Sequence, residues 1–167
     1  MSEEKLRQDL EAAFRARANL YRLFHDELTA RLGRVEGEAL MARVIERHGS
    51  EAAAHYRRPG ADARAVGEAF LAASPDGGRM YPAAVERQQD GIDIRVERCP
   101  LKDAWRDAGL SPERVATLCR IAGAFDKGLF EAAGLRFSNE TWSAERGGGC
   151  CHIFLRDGAA WVTPRRP

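Results

Sequence analysis

The sequence predicts an α+β protein in which an N-terminal helical half packs on a small antiparallel sheet with a further long helix. Apolar residues recur at helical spacing through residues 3–73, and the pattern changes to strand alternation from residue 84 onward. No linker is long enough to separate the two halves. We therefore expect a single domain over residues 1–167, helical over 1–75 and mixed α+β over 80–163.

The helical half divides into three predicted helices, over residues 3–32, 36–57 and 62–73. Ser2 can cap the first helix and Gly33 can end it, whereas Pro59-Gly60 marks a loop before the third. Gly49 is expected to break or kink the second helix. The inward stripe predicted for the first helix consists of Leu6, Leu10, Ala13, Leu20, Phe24 and Leu28, widened by Phe14, Tyr21 and Leu32. For the second helix the predicted inward residues are Ala39, Leu40, Val44 and Ile45.

Arg17 interrupts the apolar stripe of the first helix. A guanidinium suits bidentate recognition of a substrate carboxylate. It can equally lay its stem on the apolar surface and extend its charge into water, and the sequence favours this second interpretation.

The second half begins with a predicted hairpin, in which strands 84–88 and 92–98 flank Gln89-Asp90-Gly91. Ile92, Ile94 and Val96 alternate with polar residues, which predicts one wet face. Predicted helices over 101–107 and 112–133 follow. Two more strands, over 135–142 and 150–156, are joined through Gly147-Gly148-Gly149.

The composition restricts the function classes. Lys and Arg (26) nearly balance Asp and Glu (25), so a nucleic-acid partner is disfavoured. The sequence has neither a run long enough to span a membrane nor a secretory signal. We therefore expect a cytoplasmic protein with reduced thiols, no membrane or nucleic-acid partner and a small-molecule substrate. The pattern leaves the oligomeric state open.

All four cysteines follow residue 98. In a strand over 150–156, alternation places Cys151 on an apolar face and Cys150 with His152 on the other. Cys119 and Asp126 are seven residues apart and so share one side of the 112–133 helix. We expect Cys99, Cys119, Asp126 and Cys151 around one pocket between this helix and the sheet. The alternative is that the thiols are separate core residues.

The predicted catalytic residues are Asp126, as a half-buried general base of raised pKa, and a nucleophilic Cys99 or Cys151. For Asp126 the alternative is an ordinary surface carboxylate. A helix start at Cys99, or His152 near Cys151, would lower the thiol pKa. The predicted substrate-binding residues are Cys119, Asn139, Thr141, His152 and Trp105. For Asn139 and Thr141 the alternative is ordinary hydrogen bonding within the sheet.

The cysteine spacing lacks the short pairs typical of structural zinc. No cofactor is therefore expected. A zinc ion held by Cys99, Cys119 and Cys151 is the alternative.

The sequence resembles the family of L-2-amino-thiazoline-4-carboxylic acid hydrolases. The resemblance covers most of the chain and is carried by Cys99-Pro100-Leu101, Trp105, Leu118-Cys119-Arg120, Asp126 and Gly149-Cys150-Cys151-His152. It implies a hydrolase that opens the ring of 2-aminothiazoline-4-carboxylate to give an N-carbamoyl cysteine. Either Cys150 or Cys151 corresponds to the single late cysteine of the family.

We therefore expect a hydrolase that opens a cyclic amidine or thiazoline-type ring. Two alternatives remain open. One is a zinc-dependent hydrolase with thiol ligands, and the other is a non-catalytic domain that senses a small molecule or a metal.

Overall fold

The computed structural model describes residues 2–58, 61–146 and 149–158. The predicted loop at Pro59-Gly60, the first two glycines of the Gly147 run and the chain after residue 158 lie outside these ranges. The fold is α+β. In chain order the elements are α1 (Glu3–Leu32), α2 (Arg34–Ala52), α3 (Ala63–Ala72), β1 (Ala83–Gln88), β2 (Gly91–Val96), α4 (Pro100–Asp107), α5 (Pro112–Ala122), α6 (Ala124–Ala132), β3 (Arg136–Glu140) and β4 (Cys151–Arg156).

Helix α1 has the predicted bounds. The Ser2 hydroxyl accepts a hydrogen bond from the backbone N–H of Lys5 at 3.2 Å, which satisfies one of the free N–H groups of the first turn. Gly33, at a φ of 80°, turns the chain directly into α2. α2 ends before its predicted limit and continues as a short 3₁₀ turn, Ala53–His55.

The buried face of α1 differs from the predicted stripe. Leu6, Leu20 and Phe24 are 50%, 53% and 60% exposed, whereas Ala18 and Tyr21 are buried. The indole N–H of Trp105 in α4 donates to the carbonyl oxygen of Ala18 at 2.8 Å, so α4 packs on this row. Apolar residues lie around much of the circumference of this long helix, so its own sequence does not determine which face is buried. The elements that pack on it determine that face. On α2, Val44 is likewise exposed although it was predicted to face inward.

Helices α2 and α6 meet through two glycines. A Cβ at Gly49 would lie 2.0 Å from the carbonyl oxygen of Phe125, and one at Gly128 would lie 1.9 Å from that of Glu46. The prediction that Gly49 breaks or kinks α2 is therefore wrong: the helix continues through it, and the missing side chain lets the α6 backbone approach.

The predicted helix over 112–133 is two helices, α5 and α6, which meet at Gly123. A Cβ at Gly123 would lie 2.9 Å from Nδ2 of Asn139 and 3.1 Å from Cγ2 of Thr141. The end of β3 therefore packs against the junction of the two helices. The Ser111 cap, with Pro112 in the first turn of α5, follows the prediction.

The described strands form a four-stranded antiparallel sheet in the order β1-β2-β4-β3. Ile92, Ile94 and Val96 of β2 are buried, as their alternation predicted. The opposite face is less wet than predicted, because Asp93 is only 7% exposed and accepts a hydrogen bond from Arg156 at 2.5 Å.

The core consists of two clusters. One lies between the sheet, α3 and α6, and includes Ile94, Phe130 and Ile153. The other joins α1, α2, α4 and α5, and includes Tyr21 and Trp105. None of the helices in the described part of the chain is both long and apolar enough to cross a membrane. The space between the two clusters contains the candidate site.

Candidate functional site

A cavity of about 320 Å³ separates the two core clusters. Its walls come from α1, the end of α3, β2, β4, α4, α5 and the first turn of α6. Most of the lining is apolar, and the aromatic residues that contribute to it are Phe14, Tyr56, Phe70, Tyr81, Trp105, Phe125 and Trp142. The cavity thus lies between the core cluster of the sheet, α3 and α6 and the core cluster of α1, α2, α4 and α5.

The structure brings the four residues predicted to share a pocket to this cavity: Cys99, Cys119, Asp126 and Cys151 all line it. Cys99 precedes α4, Cys119 lies in α5 and Asp126 in the first turn of α6. Cys151 begins β4, which pairs with β2 through Val96 and Cys151. This pairing brings the residues that follow β2, including Cys99, close to the start of β4.

Asp126 has its carboxyl at the cavity wall. The side chain keeps partial exposure because it faces the cavity, yet protein encloses it. This burial raises the pKa of Asp126 to about 7, although the positive charge of Arg17 acts in the opposite direction. Near neutral pH the group can therefore accept and return a proton, as a general base requires.

Arg17 also lines the cavity, on the side of α1. Its Nη2 donates to the Tyr21 hydroxyl at 3.4 Å, and its guanidinium lies 5.6 Å from the centre of the Tyr21 ring. Among the described lining residues, Arg17 has the one basic side chain and Asp126 the one carboxyl group. The interpretation of Arg17 as a side chain that extends into water is wrong, because it contributes its charge to the cavity.

Tyr81 contributes a phenol to the cavity wall, in addition to the charged side chains of Arg17 and Asp126. Burial raises the pKa of Tyr81, the nearby Cys99 raises it further, and Arg17 lowers it in part. The phenol therefore stays protonated and can donate a hydrogen bond. Its ring packs edge-on against Phe14 at 5.6 Å between centroids, which fixes its orientation.

Cys150 lines the cavity together with Cys151, so the prediction that the two point to opposite faces is wrong. β4 begins at Cys151, and Cys150 precedes the strand, so strand alternation does not apply to it. Its backbone N–H donates to the carbonyl oxygen of Val96 at 2.7 Å. Cys151 shares the face of buried Ile153 and Leu155, as predicted.

The thiols are free in the structure. The adjacent Cys150 thiol and then burial raise the pKa of Cys99, and the backbone N–H groups of Lys102 and Leu101 do not offset this. Burial raises the pKa of Cys119 to about 12. The pKa of Cys150 is also raised, chiefly by its neighbour Cys151. The helix start therefore does not lower the pKa of Cys99 as predicted.

Lys102 fixes Cys99 relative to Cys150. Its side chain is buried, and its Nζ donates to the carbonyl oxygen of Gly149 at 2.5 Å. This bond ties the first turn of α4 to the residue that precedes Cys150. The cysteines at this end of the cavity are thus held by backbone and lysine contacts.

The predicted substrate-binding residues fall into two groups. Trp105 and Thr141 line the cavity together with Cys119. Asn139 is not among the lining residues and instead packs at Gly123. His152 is also absent from the lining, because it lies on the strand face opposite Cys151, where its ring packs against that of Phe154 at 4.1 Å between centroids.

Within residues 2–58, 61–146 and 149–158, no three His, Cys, Asp or Glu side chains converge in a way that would hold a metal ion. The three thiols of the zinc alternative do line one cavity, but they do not form such a group.

Sequence reasoning missed Tyr81, Cys150 and Trp142 as lining residues and placed Arg17 elsewhere. One signal was available for Arg17: a charge in the middle of an apolar helical stripe requires a polar partner or a path to water. Tyr81 lies between predicted elements, where periodicity gives no information.

The sequence matches the profile of the protein family described as L-2-amino-thiazoline-4-carboxylic acid hydrolase over residues 13–155. No curated protein matches the chain. One similar solved structure is a trafficking protein particle complex subunit 3 from Naegleria fowleri, covalently bound to palmitic acid. The alignment covers 84% of this chain and 95% of that chain, with 14% identity and a TM-score of 0.46.

Proposed function

The chain belongs to the L-2-amino-thiazoline-4-carboxylic acid hydrolase family, a family of small-molecule hydrolases, and we propose that it opens a cyclic amidine or thiazoline-type ring in the cavity described above. The supporting observation is Asp126, which lines a largely apolar cavity with the guanidinium of Arg17 near it. A carboxylate in such surroundings is a base matched to neutral pH.

The reaction follows from the chemistry of the ring. The carbon between nitrogen and sulfur is electrophilic, like the carbon of an amidine. Ionised Asp126 accepts a proton from water while the water oxygen bonds to this carbon, and the Asp126 carboxyl gives that proton to the ring nitrogen as the carbon–nitrogen double bond opens. Asp126 then takes the proton of the new hydroxyl group and passes it to the sulfur as the carbonyl forms and the carbon–sulfur bond breaks. One water is consumed, and the product is an N-carbamoyl cysteine.

Water activated by Asp126 is favoured over a cysteine nucleophile. A thiolate is the reactive form of cysteine, and the pKa of Cys99 is raised rather than lowered. His152, proposed as the group that would activate Cys151, lies on the opposite strand face. In this mechanism the thiols form part of the cavity wall. The Tyr81 phenol donates a hydrogen bond to the negative charge that develops on the ring when water attacks.

The test is turnover of 2-aminothiazoline-4-carboxylate by purified protein, with the thiol product followed by a thiol reagent after the enzyme is removed. Asp126→Asn should lower kcat by about a hundredfold or more, the usual contribution of a general base. Glu131→Gln, an exposed change on the same helix, is the matched control and should leave kcat unchanged.

The substitutions Cys99→Ser and Cys151→Ser separate the two mechanisms. If both keep most of the activity and Asp126→Asn does not, water is the nucleophile. Loss of turnover in Cys151→Ser with a trapped covalent adduct in the wild type would assign the attack to that thiol instead. No turnover by the folded wild-type protein with thiazoline or related cyclic amidines would overturn the proposed function.

A further inference from the structure

The cavity is larger and more apolar than the compound in the family name requires. A five-membered ring with one amino group and one carboxylate is small and mostly polar. The cavity, at about 320 Å³, lies within the size range of pockets that bind drug-sized ligands. Apart from Arg17, Asp126 and a few thiol and hydroxyl groups, its walls are aromatic and aliphatic. A small polar ring would leave that part of the cavity unfilled.

Arg17 supplies the charge that an anionic ligand needs. It stands in a wall that is otherwise mostly apolar, and a guanidinium has five N–H donors, of which one hydrogen bonds with Tyr21. A cation in apolar surroundings is costly unless an anion pairs with it. The planar fork of the guanidinium fits a carboxylate through two parallel hydrogen bonds.

Another part of the cavity wall, which includes Tyr56, Phe70 and Leu71, is held in place by aromatic packing. Phe70 packs against Phe130 at 5.1 Å and against Tyr56 at 6.0 Å between ring centroids. These contacts belong to the core cluster of the sheet and α3, whereas Arg17 lies on α1, beside the other cluster. The cavity therefore offers an anion-binding side and an apolar side on different structural elements.

We infer that the natural substrate is an amphipathic monocarboxylate: Arg17 binds its carboxylate, and an aryl or branched alkyl substituent packs against the wall formed by Tyr56, Phe70 and Leu71. This inference rests on the proposed function, since it places the reacting carbon beside Asp126. It differs from the family name in requiring an apolar substituent.

The first experiment measures binding without turnover. 3-Phenylpropanoate is the probe, and acetate and 3-phenylpropan-1-amine are its matched partners. Trp105 and Trp142 line the cavity, so their fluorescence reports occupancy. The phenyl acid should bind at least about tenfold more tightly than acetate, since burying an aromatic group contributes more than 1.4 kcal/mol. Binding of the amine as tight as that of the acid, or of acetate as tight as that of the phenyl acid, would overturn the inference.

Variants assign the two ends of the ligand. Arg17→Met should weaken 3-phenylpropanoate about ten- to a hundredfold, the range for loss of charge-assisted hydrogen bonds, and Arg17→Lys should retain part of the affinity. Arg15→Met is the control on the same helix, because Arg15 is exposed and pairs with Asp107. It should bind the probe like the wild type.

Ala83→Phe tests the apolar end. Ala83 lines the cavity beside the aromatic wall, so a phenyl ring there should weaken 3-phenylpropanoate and leave acetate unaffected. Circular dichroism confirms that each variant is folded. If Arg17→Met does not fold, Arg17→Lys and Ala83→Phe still decide the inference. Unchanged probe affinity in the folded variants would refute it.

The outcome is separable from that of the proposed function. Probe binding that depends on Arg17 and Ala83, without turnover of any cyclic amidine, would keep the inferred ligand class and remove the reaction. Turnover of the unsubstituted thiazoline with a KM unchanged in Arg17→Met would keep the reaction and remove the inferred ligand.

Discussion

The two sides of helix α6 are packed in opposite ways. Toward α2, Gly128 and Gly49 bring backbone atoms into contact, and the Ser50 hydroxyl donates to the carbonyl oxygen of Gly128 at 3.2 Å. Lys127 also pairs with Glu46 across this interface. Toward the sheet, the same helix presents Asp126 to a cavity of about 320 Å³. Toward α2 the helix is packed up to its backbone, whereas on the other side its first turn borders the cavity.

The difference shows how a buried carboxylate is kept in place. The ionised form of a buried carboxyl group is poorly solvated, so any movement that exposes the group to water stabilises that form. The glycine contacts oppose such movement, because α6 has no room to shift toward α2. The tightly packed side therefore holds Asp126 at the cavity that we propose as the site. Three measurements test this relation.

The largest effect should be the pH dependence of stability that Asp126 causes. Its pKa is about 7 in the folded protein and 3.8 in an ordinary aspartate, so the folded state retains a proton that the unfolded chain has released. The stabilisation from this proton is present below the unfolded pKa and lost as the pH rises through 7. A shift of this size corresponds to about 4 kcal/mol.

Urea unfolding of the wild type and Asp126→Asn measures this contribution. The asparagine variant cannot ionise, so its stability relative to the wild type should rise by about 4 kcal/mol between about pH 4 and about pH 8. Comparing the two proteins removes the titration of other groups. A constant difference across this range would mean that Asp126 is solvated and that the cavity does not enclose it.

The next effect concerns the glycine contacts. Gly49→Ala would place a methyl group 2.0 Å from the carbonyl oxygen of Phe125, so α6 must move away. Overpacking against backbone should cost about 3 kcal/mol, measured by the unfolding midpoint in urea. The displaced first turn of α6 should also change the pH dependence assigned to Asp126. Arg43→Ala, exposed on the same helix, is the control, and a variant at Gly49 as stable as this control would contradict the described packing.

Much of the fold was predictable from local signals. The bounds of α1, its Ser2 cap, the Asp-Gly hairpin and the Ser-Pro start of α5 depend on neighbouring residues, and each was placed correctly. Errors arose where partners decide the outcome. The inward face of α1 was assigned to Leu20 and Phe24, but α4 packs on Ala18 instead. The roles of Gly49 and Gly123 depend on elements that are distant in sequence.

The candidate site could likewise be predicted where local signals decide, and not where distant elements decide. Cys99, Cys119, Asp126 and Cys151 could be placed together because helical and strand periodicity determined which way three of them face. Cys150 was misplaced because the strand begins one residue later than predicted. Arg17 and Tyr81 come from the helical half and from a loop, and their approach to Asp126 depends on how the halves pack. Periodicity within one element carries no information about that packing.

The smallest effect, and the sharpest contrast with Gly49, is expected at Ala122. This residue ends α5 and lines the cavity, so added carbon atoms can extend into the cavity. Burial of the extra apolar surface in Ala122→Leu offsets the cost of ordering the longer side chain, and stability should change by less than about 1 kcal/mol. The variant should nevertheless weaken binding of 3-phenylpropanoate, because the leucine occupies part of the cavity. Urea unfolding and tryptophan fluorescence measure the two results on the same protein. A loss of stability as large as that of Gly49→Ala would show that the cavity wall at the end of α5 is as closely packed as the contact between α2 and α6.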